Sequence, residues 1–347
     1  MSKCGAAYSL DGILTRYRKR GEEQMKKCVV IIPALNEEKT IATVLKAIPG
    51  TLFNNSVVLE KVVVDDGSTD NTSNIAIEHG AIVVKHKEPQ GVGSAFWDGI
   101  CEALRRKADY AVNIDADGQM DPKDIEKLLT PIVNDEADFV TASRFMNREY
   151  YPQMPKIKFW GNQQVAKIVS SITGKKYYDV ACGYRAYNKE TLLRLNLTGK
   201  FTYTQETFLN LANKSRIRIM EIPIKIRGER EFGKSRVASN VLKYAIKSGR
   251  IILRAFKDYK PIKFWGGLSL LCGSIGLVFE TIFLLHFLMT GFFRGYLWAG
   301  LTGAFFALVS LVLVVIMIVS DALSKIIINQ EEILYYNKKR EYYGSEK

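Results

Sequence analysis

The chain has 347 residues, 49 Lys and Arg against 36 Asp and Glu, a net charge of +13 and 47% hydrophobic content. That is enough for one large domain and more, and it excludes a small disulfide-stapled scaffold. Five cysteines (Cys4, Cys28, Cys101, Cys182, Cys272) form no Cys-x-x-Cys pair, and the three histidines are scattered, so a zinc site or disulfide framework is not expected.

The first 24 residues are polar and basic, with no cleavable signal pattern, and 1–25 reads as an N-terminal extension with Met25 near the functional start. Strand and helix signals then alternate. Apolar runs at 28–32, 61–64, 81–84, 110–114 and 139–142 read as strands. Helical patterns run over 37–48, from about Asp70 with Ser68 or Asp70 as cap, over 93–106, and from Pro122. Such alternation predicts an α/β domain with a Rossmann-like, mixed but mainly parallel sheet covered on both faces, here placed at 26–235. Gly91 and Gly93 read as a helix entry rather than a phosphate loop.

After Arg144 the pattern changes. Residues 156–173 and 237–256 carry apolar residues at helical spacing with Lys and Arg between them. Basic amphipathic helices of this kind are expected at a membrane interface, the second as a juxtamembrane element at 236–262. Apolar runs at 264–290 and 296–320 are long enough to cross a bilayer, with 291–295 as a tight connection. They define a transmembrane hairpin at 263–324 and a tail at 325–347. Lys257, Lys260 and Lys263 precede the spans and Lys325, Lys338, Lys339 and Arg340 follow them, while only Arg294 lies between. Positive charge kept inside is expected to put both ends and the whole soluble part in the cytoplasm of a multi-pass cell-membrane protein. With spans present, the surplus charge suits anionic lipid, at ~1 kcal/mol per basic residue near the surface, and not nucleic acid. Glu280 and His286 fall inside the first span; we expect Glu280 to face the partner helix as a neutral carboxyl and His286 to lie near the far interface.

The chemistry sits at strand ends. The strand from Tyr110 runs into Asp115-Ala116-Asp117-Gly118-Gln119, two carboxylates and an amide oxygen that suit a hard divalent cation, Mg²⁺ or Mn²⁺. The first strand ends in Pro33-Ala34-Leu35-Asn36-Glu37 and the second in Asp65-Asp66-Gly67-Ser68. Each alone could be a capped turn. Three acidic ends in one sheet are expected to converge on one crevice.

With these motifs, and with 142–145, 179–186, Gln205-Glu206 and 230–236, the chain resembles family 2 glycosyltransferases of GT-A fold. The resemblance is to the polyprenyl-phosphate enzymes that include dolichol-phosphate mannose synthase, and covers Lys27 to about Lys260. It implies that Pro33, Leu35 and Glu37 line base and ribose, with Val64 and Asp66 at the base edge. Asp115 and Ala116 would lie against ribose and diphosphate, and Asp117 and Gln119 would ligate the metal. Arg230 and Arg236 would close over the diphosphate and the acceptor phosphate, although the family often has Lys at the second position. Arg144 and Arg185 are further candidates for the acceptor phosphate, and Asp179 for a place near the sugar.

The implied reaction is metal-dependent, inverting transfer of one hexose from a nucleotide-sugar to dolichyl or polyprenyl phosphate. A UDP-sugar is favoured, with GDP-mannose retained. A phosphate already ionised near neutrality needs no strong base, in keeping with the absence of a histidine beside the motifs. Expected partners are the donor, the lipid acceptor and membrane lipid, with a homo-oligomer admitted. The rivals are a nucleotidyltransferase, a scaffold without turnover, and a diacylglycerol acceptor.

Overall fold

In a computed structural model of the chain, the described residues are 25–197, 203–214, 216–228 and 241–344. β1 (Lys26–Ala34) is the hub of an eight-stranded sheet. It is almost wholly apolar and buried, as a strand covered on both faces must be. β1 pairs in parallel with β3 (Val57–Asp65) on one side and β5 (Tyr110–Asn113) on the other. The outer edge of β3 is shared by the short antiparallel β2 (Thr51–Leu52) and the parallel β4 (Ile82–Lys85). Beyond β5 come β7 (Arg185–Asn188), antiparallel to both its neighbours, then β6 (Phe139–Ser143) and β8 (Ile219–Pro223). The sheet is therefore mixed and mainly parallel, as expected; β7 and β8 were not foreseen.

Helices cover both faces. α1 (Ile41–Ala47) and α4 (Ile125–Val133) close one core with Val30, Ile32, Val63 and Val112. α3 (Val92–Arg105) lies on the other face, where Gly99 allows contact: a Cβ there would sit 2.2 Å from Ile31 Cγ2. The short α2 (Thr72–Glu78) follows β3, and the Asp70 carboxylate accepts from the Thr72 N–H at 3.0 Å. Gly91 stands at the entry of α3, as the sequence suggested.

α5 (Lys156–Thr173) buries Ala166, Val169 and Ile172 but leaves Ile157, Trp160 and Ile168 exposed. Next come α6 (Lys189–Arg194) and α7 (Thr204–Ala212), then α8 (Val241–Tyr259), which sets Ile252 into the core and exposes Ile246 and Leu253. α9 (Pro261–Thr290) and α10 (Leu297–Tyr343) are long and apolar enough to cross a membrane, with mean hydropathy 2.1 and 2.8 over their most apolar windows. They pack through small residues: a Cβ on Gly276 would lie 3.0 Å from the Gly303 carbonyl, and one on Gly303 2.8 Å from Glu280 Cγ. Glu280 thus faces the partner helix, and the His286 ring lies tilted against that of Tyr296, centroids 4.3 Å apart, at the hairpin turn.

The stretch after the second apolar run is no separate tail. α10 continues unbroken for 47 residues, ~70 Å of helix, and its last turns dock on the α/β domain. Arg194 bridges Glu190 (2.6 Å) and Glu332 (2.8 Å) and lies 4.0 Å over the Tyr335 ring. Lys338 donates to the Leu195 carbonyl and to Asn196 Oδ1, both at 2.8 Å, and burial pulls its pKa down to about 8. Tyr343 donates to the Ala108 carbonyl at 2.7 Å. The membrane-type hairpin is therefore fastened to the α/β domain at both ends, through α8 and through the end of α10.

Candidate active site

Because β3, β1 and β5 are adjacent and parallel, their carboxyl ends lie side by side. The chain runs outward from β1 to β3 and β4, then returns to β5 across β1; this order reversal opens a crevice at the β1 and β5 ends. Leu35 and Glu37 follow β1, Asp65 and Asp66 end β3, and Asp115, Asp117 and Gln119 follow β5. The expected convergence is present.

The rims of the first two strand ends are tied together. Asn36, at φ +48°, donates from its N–H to Ser68 Oγ (2.8 Å) and accepts the Thr69 N–H (2.8 Å). The Glu37 N–H donates to Thr72 Oγ1 at 2.8 Å, and the Glu37 carboxylate accepts from Thr40. Asp65 is consumed by this frame: it accepts from Ser68 and Ser73 and lies near Lys85. Burial works against its charge, but these hydroxyl and amide donors prevail and hold its pKa low.

Four expected contacts need correction. The Val64 side chain is fully buried and packs toward α3 beside Gly99, so it presents none to a base. Pro33 and Ala116 are likewise buried at their strand ends, leaving backbone as what they can offer. Arg185 does not reach an acceptor: it is 0% exposed, donates to the carbonyls of Thr204 (2.8 Å) and Val180 (3.0 Å), and lies over Phe139 and Phe208. It serves the fold.

Asp66 accepts at Oδ1 from the Gln90 N–H and at Oδ2 from the Gly91 N–H, each at 2.8 Å. His86 Nδ1 also lies 2.8 Å from Oδ1. The expectation that no histidine stands near the motifs is therefore wrong. Its signal was positional: β4 pairs with β3 in the register Asp65 to Lys85, so the next residue of each strand meets the other.

At the third strand end, the Gln119 N–H donates to Asp117 Oδ1 at 3.0 Å and its amide nitrogen to the Arg227 carbonyl at 2.9 Å. Asp115 lies over Gly183, where a Cβ would be 3.5 Å from Oδ1 and 2.7 Å from the Tyr203 hydroxyl; only glycine permits that approach. Among the described residues no three His, Cys, Asp or Glu side chains gather as a metal site. Two carboxylates and an amide oxygen within five residues are nevertheless hard donors. They fit a cation that takes its remaining ligands from water and phosphate, as Mg²⁺ and Mn²⁺ do. A cleft of about 710 Å³ opens beside Gln119, lined by Lys39, Lys123, Lys127, Lys225 and Arg227 together with Asp121 and Asp124, the last paired with Lys127, so basic residues prevail on its wall.

Toward β6 and β8, Arg144 meets Asp179 in a two-pronged pair, Nε to Oδ2 at 2.6 Å and Nη2 to Oδ1 at 2.9 Å. Backbone N–H groups of Arg144 and Ala181 fill the remaining positions on that carboxylate. Asp179 is 1% exposed and fully engaged, so it positions Arg144 and does not stand at the sugar. Behind it is a residue the sequence reading missed. Glu221 accepts the N–H groups of Tyr178 (2.9 Å) and Asp179 (2.8 Å). Burial pushes its pKa up to about 7, helped by the Asp179 charge and opposed by those N–H donors. Arg230 and Arg236 lie outside the described residues.

Comparison with known proteins agrees with this architecture. Residues 29–195 match the model of glycosyl transferase family 2. UDP-N-acetylglucosamine–dolichyl-phosphate N-acetylglucosaminyltransferase of Methanococcus voltae is 35% identical over 219 residues, covering 58% of this chain and 85% of the relative. Polyprenol monophosphomannose synthase of Mycolicibacterium smegmatis is 27% identical over 234 residues, covering 64% and 84%. Among solved structures, glucosyl-3-phosphoglycerate synthase of Mycobacterium tuberculosis, in complex with Mn²⁺, UDP-glucose and phosphoglyceric acid, superposes with a TM-score of 0.54 at 19% identity, covering 74% and 86%. That last likeness speaks to the GT-A fold. The crevice, the sheet order and the 35% relative together make this chain a member of glycosyl transferase family 2.

Proposed function

We propose that the protein transfers one hexose from a nucleotide-sugar to dolichyl or polyprenyl phosphate at the cytoplasmic face of a membrane, with inversion at the anomeric carbon. The observation that carries this reading is the joining, in one chain, of the acidic crevice to a pair of membrane-length helices docked on the catalytic domain. A lipid phosphate cannot leave the bilayer, so a cleft that serves it must be held at the surface. α8 and the end of α10 give that hold, and the exposed Ile157, Trp160 and Ile168 of α5 add an apolar, lysine-flanked contact with lipid. The two relatives named above for dolichyl-phosphate and polyprenol substrates support the acceptor class.

Asp66 and the 33–37 segment would hold the nucleoside. Asp115, Asp117 and Gln119 would hold Mg²⁺ or Mn²⁺, which when bound stabilises charge on the departing diphosphate. Arg144, aimed by Asp179, would meet the acceptor phosphate, with Arg230 and Arg236 assigned to the same anions. An acceptor phosphate with a second pKa of ~6 is its own nucleophile at neutral pH. His86 is no candidate base, since both ring nitrogens are engaged.

The test uses purified full-length protein with polyprenyl phosphate, Mn²⁺ and a panel of UDP- and GDP-sugars, weighing the lipid product. One donor should yield a lipid heavier by one hexosyl unit. Asp117→Ala and Gln119→Ala should abolish that product while the thermal transition stays in place. Full wild-type turnover in excess chelator would defeat the metal assignment.

A further inference from the structure

His86 is more than a neighbour of the crevice. Nδ1 lies 2.8 Å from Asp66 Oδ1 and Nε2 lies 2.8 Å from Asp98 Oδ2, on α3. A carboxylate can only accept, so two such contacts require a proton on each ring nitrogen. The ring is an imidazolium clamped between two carboxylates. The electrostatics agree: burial opposes the charge, but the hydrogen bonds and charges of Asp66 and Asp98 outweigh it and raise the pKa. These two carboxylates are the charged groups that face the ring; Lys85, next in sequence, pairs with Asp65 instead.

The clamp decides what Asp66 has left to offer. A carboxylate has about four acceptor positions. Oδ1 takes His86 and the Gln90 N–H, and Oδ2 takes the Gly91 N–H. The carboxylate cannot swing to free another position, because the 86–91 loop is locked on it. Gly91 holds φ +106°, and a Cβ on Gly67, at φ +79°, would sit 2.7–2.9 Å from the backbone of Glu88 and Pro89. One acceptor position remains, on Oδ2.

We propose that His86 sets nucleobase specificity by leaving Asp66 a single acceptor, which matches a base presenting one ring N–H, the uracil pattern, and mismatches guanine, whose edge presents two adjacent donors. This rests on the reading of the crevice as a nucleotide-sugar site and deepens it. Guanine would bury its second donor unpaired, a loss of about tenfold or more in affinity. His86 is a positioning residue here, acting through Asp66.

The experiment is equilibrium binding of UDP and of GDP, each with Mn²⁺, to the full chain in detergent from about pH 6 to about pH 8.5. The wild type should bind UDP about tenfold or more tighter than GDP. His86→Ala, which returns a position on Oδ1, should shrink that ratio. Asp98→Asn alters only the outer, half-exposed partner, so it keeps the fold. By removing one charge that supports the imidazolium, it should make the preference for UDP over GDP fall off at lower pH than in the wild type. Equal UDP and GDP affinity in the wild type, an unchanged ratio in His86→Ala, or one pH course for wild type and Asp98→Asn would each overturn the proposal while leaving the glycosyltransferase reading intact. Absence of binding by either nucleotide would overturn both.

Discussion

Glu221 gives a prediction with a sign and a size. Its displacement from 4.5 to about 7 corresponds to about 3 kcal/mol at roughly 1.4 kcal/mol per pH unit, and discounting for its partial exposure leaves about 2. The folded-state pKa is raised, so the group's favourable contribution is complete below its unfolded pKa and is lost as pH climbs from about 4.5 through about 7. Glu221→Gln is neutral at every pH and keeps the shape. At about pH 5 wild type and variant should therefore melt close together; by about pH 8 the wild type should have lost about 2 kcal/mol relative to the variant, or about 4–8 °C for a domain of this size. The difference must be read between the two proteins. Glu60, Asp65 and Asp138, all held low, impose the opposite trend in both, losing stability as pH falls through their folded values. Melting followed by tryptophan fluorescence in one detergent suffices. A wild-type-minus-variant difference that stays flat from about pH 5 to about pH 8 would refute the reasoning about the buried carboxylate.

Arg185→Met should lower stability by about 2–4 kcal/mol, because the Val180 and Thr204 carbonyls lose their donor; the surviving enzyme should keep its KM for lipid phosphate, and a selective rise in that KM would restore Arg185 to the acceptor site. Tyr335→Ala should cost about 3 kcal/mol and raise hydrogen exchange over 332–343, since the ring under Arg194 and the hydroxyl on Glu190 hold the end of α10 to the domain. Gly303→Val should force α9 and α10 apart at Glu280, at about 1–3 kcal/mol, seen as a lower melting temperature in detergent; Gly300→Ala should do less, as the nearest atoms to its Cβ, at 3.0–3.3 Å, belong to the Phe283 ring and not to backbone.

How much of this was legible beforehand follows from what each segment had to bury. β1, β3, β4, β5 and β6 announce themselves because an apolar run of five or so residues has no other place to go. β7 reads Arg-Ala-Tyr-Asn and β8 carries Glu221 and Pro223, so neither has a strand pattern; both are strands because β5 and β6 supply partners. The acidic strand ends were readable because each is a short local run, and the strand alternation foretold the parallel sheet that sets them side by side. Arg185 was misplaced because a guanidinium in a motif looks functional, and only the fold reveals two carbonyls and two rings around it. His86 and Glu221 were missed for one reason: each acts through a partner distant in sequence, Asp66 twenty residues away and Asp179 forty-two. The reach of α10 was hidden by composition, since its last turns are as charged as a tail and become a docked helix only against α6 and α3.

The central claim is that a lipid-borne phosphate displaces a nucleoside diphosphate from a sugar in this crevice. With donor labelled in both base and sugar, and polyprenyl phosphate in excess, nucleoside diphosphate and hexosyl lipid should appear one for one, and both should vanish in Asp117→Ala. Release of pyrophosphate or nucleoside monophosphate instead, or nucleoside diphosphate formed without sugar on lipid, would contradict it.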